Sequence, residues 1–204
     1  GCKGAFGDVG YMMAALEDMR KGNERGRLLA QGTARVGAHY KFARVPVIKR
    51  QGISAYDPRV IEVTGISMMT TAQGADHTAG HAPTYDCNGK STKELTEVSF
   101  DTQVLVAAVD SLGLCIFGRS VTNVSHDLIV SALNDAHGTS FETSFIKKLG
   151  RDVLRMEWEF NRQAGFTEAD DALPEFFNEP VAPTGKSARH SVAEINQHLR
   201  GLIG

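Results

Sequence analysis

Apolar side chains recur at helical spacing through most of this 204-residue chain, and the alternation typical of β-strands is scarce. The clearest helix runs from about Thr92 to Leu112, and its second half is apolar almost all round, which predicts a buried helix. Gly113 ends it, because glycine readily adopts the left-handed conformation found at helix ends. The best strand candidate, residues 39–48, alternates poorly. The pattern therefore predicts an all-α, multihelical fold.

Glycines, prolines and capping residues divide the rest of the chain into further segments. The predicted helices run from about Asp8 to Arg20, from Leu28 to Val36, over a short segment stopping at Gly74, from His126 to Ala136, from a capping box at Thr139–Glu142 up to Gly165, and from a second capping box at Ser191–Glu194 onward. Residues 39–59 break the helical pattern, which predicts a connection between two packing units. Residues 170–186 are acidic and contain three of the six prolines, which predicts a surface excursion.

Charge and hydropathy exclude two classes of partner. The net charge is -2 and the pI is near 6.4, so nothing favours nucleic acid or an anionic membrane surface as a partner. No apolar run approaches the roughly 20 residues that a membrane-spanning helix needs. The first four residues lack both an initiating Met and the apolar core of a signal peptide, so we expect the chain to be a piece of a longer protein.

The three cysteines are Cys2, Cys87 and Cys115. An odd number at wide spacing argues against a disulfide framework and favours a reducing, cytoplasmic compartment. No pair has the CxxC spacing of a metal site, so a metal bound by one of these thiols needs ligands from elsewhere.

The hexapeptide from Asp110 to Cys115 places a carboxylate and a thiol at the end of the buried helix. A thiolate is disfavoured at a helix carboxyl end unless a cation or metal compensates it, so this pattern points to a metal beside Cys115. The alternative is that the cysteine is inert packing. Asp110 either hydrogen-bonds local amides or, if buried, needs a donor such as a heterocycle with amino and ring N–H groups.

The segment 74–81 contains two glycines, an aspartate and two histidines. A histidine exchanges protons near neutral pH, and an adjacent acid can select its tautomer, so His77 is a candidate proton carrier. A zinc site at His77 and His81 and a nucleophile–base pair of Cys115 with His77 are weaker alternatives. The fourth interpretation is a solvated loop with two ordinary histidines.

Seven strings occur in an order that resembles the tungsten-dependent aldehyde:ferredoxin oxidoreductases. They are FGD at 6–8, GRLLAQG at 26–32, AYDPR at 55–59, GADH at 74–77, DSLGLC at 110–115, EFNR at 159–162 and DALP at 171–174. The match extends to about Pro180. AYDPR and DxxGLC are specific in combination, whereas each alone is weak.

The resemblance implies a fold, cofactors and residue roles. Residues 1–45 correspond to the end of the family's middle helical domain, and residues 46–204 to its C-terminal helical domain. The implied cofactors are a tungsten or molybdenum bis-pterin and a [4Fe-4S] cluster. Cys115 would be the fourth cluster ligand, Asp110 would hold the pterin, Gly113 and Leu114 would let the backbone approach it, and His77 would handle protons as the catalytic residue.

The resemblance also implies a function for the longer protein, the oxidation of an aldehyde to a carboxylic acid with ferredoxin as electron acceptor. The expected partners are the N-terminal domains of the same enzyme, ferredoxin and a small aldehyde, with a homo-oligomer also possible. The isolated chain is expected to be inactive, because the other cluster cysteines belong upstream. Gln73 stands where many relatives have arginine. The alternatives are a low-potential reductase of the benzoyl-coenzyme-A reductase type and a cofactor-free helical module.

Overall fold

The computed structural model describes residues 4–203, and Cys2 lies outside them. In this part of the chain the α-helices are α1 (Val9–Lys21), α2 (Glu24–Leu29), α3 (Thr33–His39), α4 (Glu62–Thr70), α5 (Thr92–Ser111), α6 (Arg119–Thr122), α7 (His126–His137), α8 (Ser144–Gln163) and α9 (Val192–Ile203). Short 3₁₀ turns lie at Thr78–Gly80, Ile116–Gly118, Glu168–Asp171 and Glu175–Asn178, and the two-residue strands β1 (Val47–Ile48) and β2 (Gln51–Gly52) form one antiparallel hairpin. The predicted multihelical all-α fold is confirmed.

Local capping explains where the best-predicted helices begin and end. The carboxylate of Asp8 accepts a hydrogen bond from the Tyr11 amide at 2.9 Å, and Gly22 closes α1 with a φ of +64°. At α5, Ser91 and Glu94 form a reciprocal capping box. These interactions join residues close together in sequence, so they can be predicted without a tertiary structure.

Two helix predictions are wrong in detail, and the poor strand candidate forms only a short strand. The single helix expected over residues 28–36 is divided between α2 and α3, and Gly32 at the break has a φ of +85°. Of the strand candidate at residues 39–48, only β1 forms a strand, and it turns back to β2 through Lys49 and Arg50, both at positive φ. A two-residue turn with positive φ at both positions matches strand twist, so the chain reverses there instead of extending.

The capping box predicted at Thr139–Glu142 does not form, and α8 begins later, at Ser144. The side chain of Asn134 is the reason. Its carboxamide accepts from the Thr139 hydroxyl and the Phe141 amide, both at 2.8 Å, and donates to the Phe141 carbonyl at 3.0 Å. These contacts hold residues 139–141 as a loop against the preceding helix, so the first helical turn does not start there.

Helix α5 is the centre of the fold, with α4, α8 and α9 packed around it. Phe100 and Leu95 of α5 are almost fully buried, at 1% and 0% exposure. Near the end of the helix, Ala108 and Val109 are buried but Asp110 and Ser111 are exposed. The predicted burial of α5 therefore holds for most of its length and fails at its carboxyl end, where its polar residues face solvent.

The backbones of helices α5 and α8 are in close contact at Gly150. A Cβ built on Gly150 would lie 1.9 Å from the carbonyl oxygen of Val104, so no side chain fits there. Backbone contact of this kind sets the separation of the two helices and hence the position of every side chain between them.

Every residue of α4 is buried, including several polar ones. The Ser67 hydroxyl lies 2.8 Å from that of Ser99 on α5. The amide nitrogen of Gln103 donates to Ser99 Oγ at 3.0 Å and to Thr70 Oγ1 at 3.2 Å. This hydrogen-bonded seam defines the register of α4 against α5, because hydroxyl and amide groups have few geometries that satisfy them.

The apolar stripe of α1 is exposed. No residue of α1 is buried, and its large apolar side chains are between 56% and 70% exposed; they are Val9, Met12, Met13 and Leu16. On its other side, α1 contacts α2 so closely that a Cβ on Gly26 would lie 1.9 Å from the Asp18 carbonyl oxygen. The periodicity correctly predicts the helix but not a partner for its apolar face within residues 4–203.

Within residues 4–203 no single helix is long and apolar enough to cross a membrane. The pair Thr92–Ser111 and Ile116–Thr122 meets the length and composition criteria only when taken together, and it is bent by 117°.

An ion pair between the exposed Arg189 and the buried Glu62 ties the segment before α9 to α4. Arg189 donates to both carboxylate oxygens of Glu62, at 2.8 and 2.6 Å. His190 lies beside them, its Nδ1 2.8 Å from Thr92 Oγ1 and its Nε2 3.5 Å from the Glu62 carboxylate. Burial, followed by the positive charge of Arg189, lowers the pKa of His190.

We expect acid to destabilise the fold through His190. Below about pH 6.5 the unfolded chain takes up a proton at this residue while the folded chain does not, so the free energy of unfolding falls with pH. The loss levels off once the pH passes below the lowered pKa of the folded state. Chemical denaturation of wild type and His190→Gln between about pH 7 and pH 5.5 measures the difference in slope.

The matched control is His137→Gln in the exposed last turn of α7, which should keep the wild-type slope. His81, whose pKa is also lowered by burial, contributes with the same sign and is present in all three proteins. Equal slopes for wild type and His190→Gln would contradict the prediction.

Candidate functional site

The turn after α5 presents Cys115 to solvent. Gly113 takes a φ of +69°, and the Leu114 amide donates to the Val109 carbonyl at 3.0 Å, which closes the helix end. A Cβ on Gly113 would meet nothing within 4 Å, so the turn needs glycine for its backbone conformation and not for space. The Cys115 thiol is free and exposed, and so is available to a ligand on this surface.

Asp110 lies on the last turn of α5 and reaches solvent on one side. Among the described residues, no donor contacts its carboxylate. Partial burial, followed by the nearby charge of Asp76, raises the pKa of Asp110. A ligand that donates hydrogen bonds or carries positive charge would stabilise the ionised carboxylate against its burial and against repulsion by Asp76.

Asp110 also lies at the rim of a cavity of about 390 Å³ between α5, α8 and the loop after α4. We call it the acidic cavity. Its lining residues are Thr71, Ala72, Gln73, Asp76, Ala79, Gln103, Val106, Ala107, Asp110, Ser111, Val153, Leu154 and Glu157. Burial, followed by the charges of Asp110 and Asp76, raises the pKa of Glu157, so three carboxylates here repel one another.

The imidazole of His77 is held by its neighbours. The Ser54 hydroxyl lies 2.9 Å from His77 Nδ1, and the Tyr56 ring packs against His77 with centroids 5.0 Å apart. The His81 ring lies 5.7 Å from that of His77, nearly perpendicular to it, and 4.5 Å from that of Tyr56. With its Nδ1 atom engaged, the His77 ring has Nε2 left for a further partner.

The loop that carries Ser54 and Tyr56 is fixed by the AYDPR string. Arg59 is buried and donates to both oxygens of Asp57, at 2.9 and 2.6 Å, and to the Glu179 carbonyl at 2.9 Å. These charge-assisted bonds hold the loop against the C-terminal part of the chain. The string therefore has a structural role that positions the neighbours of His77.

A second cavity, of about 40 Å³, lies between His81 and Asp110. It is lined by Thr78, His81, Thr102, Val106, Val109, Asp110, Ile116, Arg119 and Asn123. The His81 Nδ1 atom is buried without a hydrogen-bond partner, and the space suffices for a water molecule. Burial, then the charges of His77 and Arg119, lowers the pKa of His81. Segment 74–81 thus meets the DxxGLC segment twice, through His81 and Asp110 at this cavity and through Asp76 and Asp110 at the acidic cavity.

Two weaker hypotheses from the sequence gain no support. Within residues 4–203 no group of three or more histidine, cysteine or acidic side chains converges to hold a metal, so the His77–His81 zinc site lacks further ligands there. No hydrogen bond in the same range joins Cys115 to His77. Gln73, in the position noted for arginine in many relatives, lines the acidic cavity.

Sequence reasoning missed Ser54, Gln103 and Glu157. Gln103 had a detectable signal, because it is a long polar side chain directly before the apolar run of residues 104–109 in the central helix. Ser54 and Glu157 had none, because they come near the site only through the positions of a loop and of α8.

Known proteins resemble this chain over nearly its whole length. A family model described as "Aldehyde ferredoxin oxidoreductase, domains 2 & 3" matches residues 1–201. The tungsten-containing aldehyde ferredoxin oxidoreductase of Pyrococcus furiosus is 30% identical over 197 residues, and that of Pyrococcus horikoshii is 28% identical over the same length. Each match covers 92% of this chain and 32% of the relative, so the chain spans about a third of the length of these enzymes. The chain belongs to the aldehyde ferredoxin oxidoreductase family.

Proposed function

We propose that this chain is the C-terminal part of a tungsten–pterin, [4Fe-4S] oxidoreductase that oxidises aldehydes to carboxylic acids and passes the electrons to ferredoxin. The observation that carries the proposal is the meeting of the GADH and DxxGLC segments, whose Asp76 and Asp110 line one cavity, with Cys115 exposed on the turn just beyond. The rest of a longer protein would supply the remaining cofactor ligands.

The residues present fit the implied pterin. The acidic cavity beside Asp110 offers acceptors and no cationic side chain, which suits the amino and ring N–H groups of a pterin. Asp110 would hold this ring, and the turn at Gly113 and Leu114 would let the backbone come close to it. The cofactor, when bound, supplies the two-electron chemistry of aldehyde oxidation.

Cys115 would hold one corner of the iron–sulfur cluster. Its thiol is exposed and unpaired, at a helix end that disfavours a thiolate unless positive charge compensates it. The other three ligands would come from outside residues 4–203. The same interface would cover the exposed apolar stripe of α1, which residues 4–203 leave without a partner.

His77 would accept and release the protons of the reaction at Nε2. Ser54 holds the opposite ring nitrogen, and Tyr56 and His81 restrict rotation of the ring. A fixed ring keeps the exchanging nitrogen at one place, which proton transfer requires.

The domain boundary near residue 45, a cytoplasmic location and assembly into a homo-oligomer belong to the same proposal. The loop between α3 and β1 is the point at which the N-terminal helices give way to the unit built around α5. Free cysteines at 87 and 115 suit a reducing compartment.

A dye-linked assay of the protein that contains this chain tests the function. We expect aldehydes to reduce a viologen dye, and we expect the same preparation to contain tungsten or molybdenum with iron. Turnover of an aromatic coenzyme A thioester in place of aldehydes would favour the related low-potential reductase. A protein that contains neither metal and has no activity would contradict both enzyme functions and favour a cofactor-free helical module.

A further inference from the structure

We infer that a cavity between α8 and α9 binds a small amphipathic carboxylate, with an aromatic or branched aliphatic body inside and the anionic group at the rim. We call it the α9 cavity, and residues 158–171 and 196–203 form most of its lining. Its volume is about 440 Å³, within the range of roughly 300–1,000 Å³ typical of small-molecule sites. It shares no lining residue with the acidic cavity, so the inference does not rest on the proposed function.

The walls of the α9 cavity are mainly apolar. Trp158 and Phe166 contribute aromatic rings, and Leu199 and Ile203 of α9 contribute aliphatic side chains. The Trp158 ring is held in place, because its Nε1 atom donates to the Thr70 carbonyl at 3.0 Å. Phe166 is 41% exposed, so apolar surface remains that a ligand can cover. These walls favour a hydrophobic ring or branched chain over a sugar or a hydrated ion.

The buried charges that line the cavity neutralise one another. The side chain of Lys49 is only 4% exposed, and its Nζ atom pairs with Asp171 and donates to the Met69 carbonyl at 2.6 Å. The second carboxylate oxygen of Asp171 accepts from Asn196 Nδ2 at 3.0 Å. A ligand charge placed among these groups would have to break their bonds, so the buried end of the ligand should be uncharged.

Two exposed arginines at the cavity have donors to spare. Arg162 and Arg200 are 73% and 60% exposed. Arg162 uses Nε and Nη2 to bind Glu159, and Arg200 uses Nη1 to bind Glu168. The other N–H groups of the two guanidinium groups have no protein partner within residues 4–203. Exposed ion pairs contribute little to stability, so either arginine can turn toward a ligand at small cost.

The chemistry of the rim selects a carboxylate as the polar group of the ligand. A guanidinium group can bind a carboxylate through two parallel hydrogen bonds, which adds geometric specificity. A phosphate would also accept these bonds, but its second negative charge would be repelled by the nearby Glu159 and Glu168. The ligand class is therefore a monocarboxylate with an apolar body.

Isothermal titration calorimetry with 3-phenylpropionate tests the inference in the protein that contains this chain. We expect one site per subunit with a dissociation constant below about 1 mM. The uncharged 3-phenylpropionamide should bind at least about tenfold more weakly, because it cannot form a charge-assisted hydrogen bond with arginine. Equal affinity for the acid and the amide would overturn the assignment of a carboxylate.

Variants of the cavity locate the ligand. We expect Arg162→Gln/Arg200→Gln to weaken binding of 3-phenylpropionate by about tenfold or more, and Phe166→Ala to weaken it by about fivefold. The matched control is Arg155→Gln, because Arg155 also pairs with an acid three residues earlier on α8 but does not line the cavity. It should keep the wild-type affinity. The substituted side chains are all exposed, so thermal unfolding should be close to that of wild type.

Trp158 gives a second, local measurement, since it is the only tryptophan among the 204 residues. We expect 3-phenylpropionate to cause a change in tryptophan fluorescence that is absent in Trp158→Phe. Absence of binding to wild type, or affinity that is unchanged in both cavity variants, would overturn the inference. Binding with the expected dependence on these residues would support it even in a protein without aldehyde activity, so the inference and the proposed function can fail separately.

Discussion

Gly150→Ala is expected to lower the free energy of unfolding by about 3 kcal/mol, the largest stability effect that we predict for a single methyl group in this chain. The added Cβ would lie 1.9 Å from the Val104 carbonyl oxygen. The obstacle is backbone and not a flexible side chain, so α5 and α8 must separate to accept it. Urea denaturation measures the loss as a lower midpoint at an unchanged slope.

Gly201→Ala is the matched control, since Gly201 also lies in a helix but a Cβ there meets nothing within 4 Å. It should leave stability unchanged or raise it by up to about 1 kcal/mol, because alanine favours helix more than glycine does. Equal stability of the two variants would mean that α5 and α8 are not in backbone contact. Separation of these helices should also widen the acidic cavity, which they form together, so Gly150→Ala should reduce pterin retention.

Cys115→Ala, in the protein that contains this chain, is expected to remove the cluster iron and to reduce dye-linked activity by more than about 100-fold. The thiol is exposed on a turn beyond α5, so its loss leaves no cavity in the core. The expected defect is therefore in cofactor content and not in folding. Iron analysis of the purified variant, with a thermal unfolding curve as a check of the fold, measures it.

Cys87→Ala is the matched cysteine control. Cys87 is buried at 4% exposure in the main core and its thiol donates to the Tyr85 carbonyl at 3.5 Å, so its loss should cost stability and leave iron unchanged. Four irons per subunit retained in Cys115→Ala would reject the proposed ligand role. A loss of iron that also occurs in Cys87→Ala would point to general instability instead.

The sequence alone is sufficient for features that depend on neighbouring residues. The cap at Asp8, the capping box at Ser91 and the left-handed glycines at 22 and 113 are interactions within a few residues, and all lie where the sequence predicts an end of a helix. The family was also identifiable from short strings, because a string retains its residues however the helices pack.

Only the tertiary structure decided which of these residues act together. Asn134 suppresses the capping box at Thr139 through a contact that no local pattern predicts, and the α1 stripe, helical as expected, has no partner in residues 4–203. The acidic cavity unites Asp76, Gln103 and Glu157 from three separate segments. The close backbone contact at Gly150 sets the spacing between two of those segments. Periodicity predicts which face of a helix is apolar, but the identity of the surface opposite it depends on contacts between residues far apart in the chain.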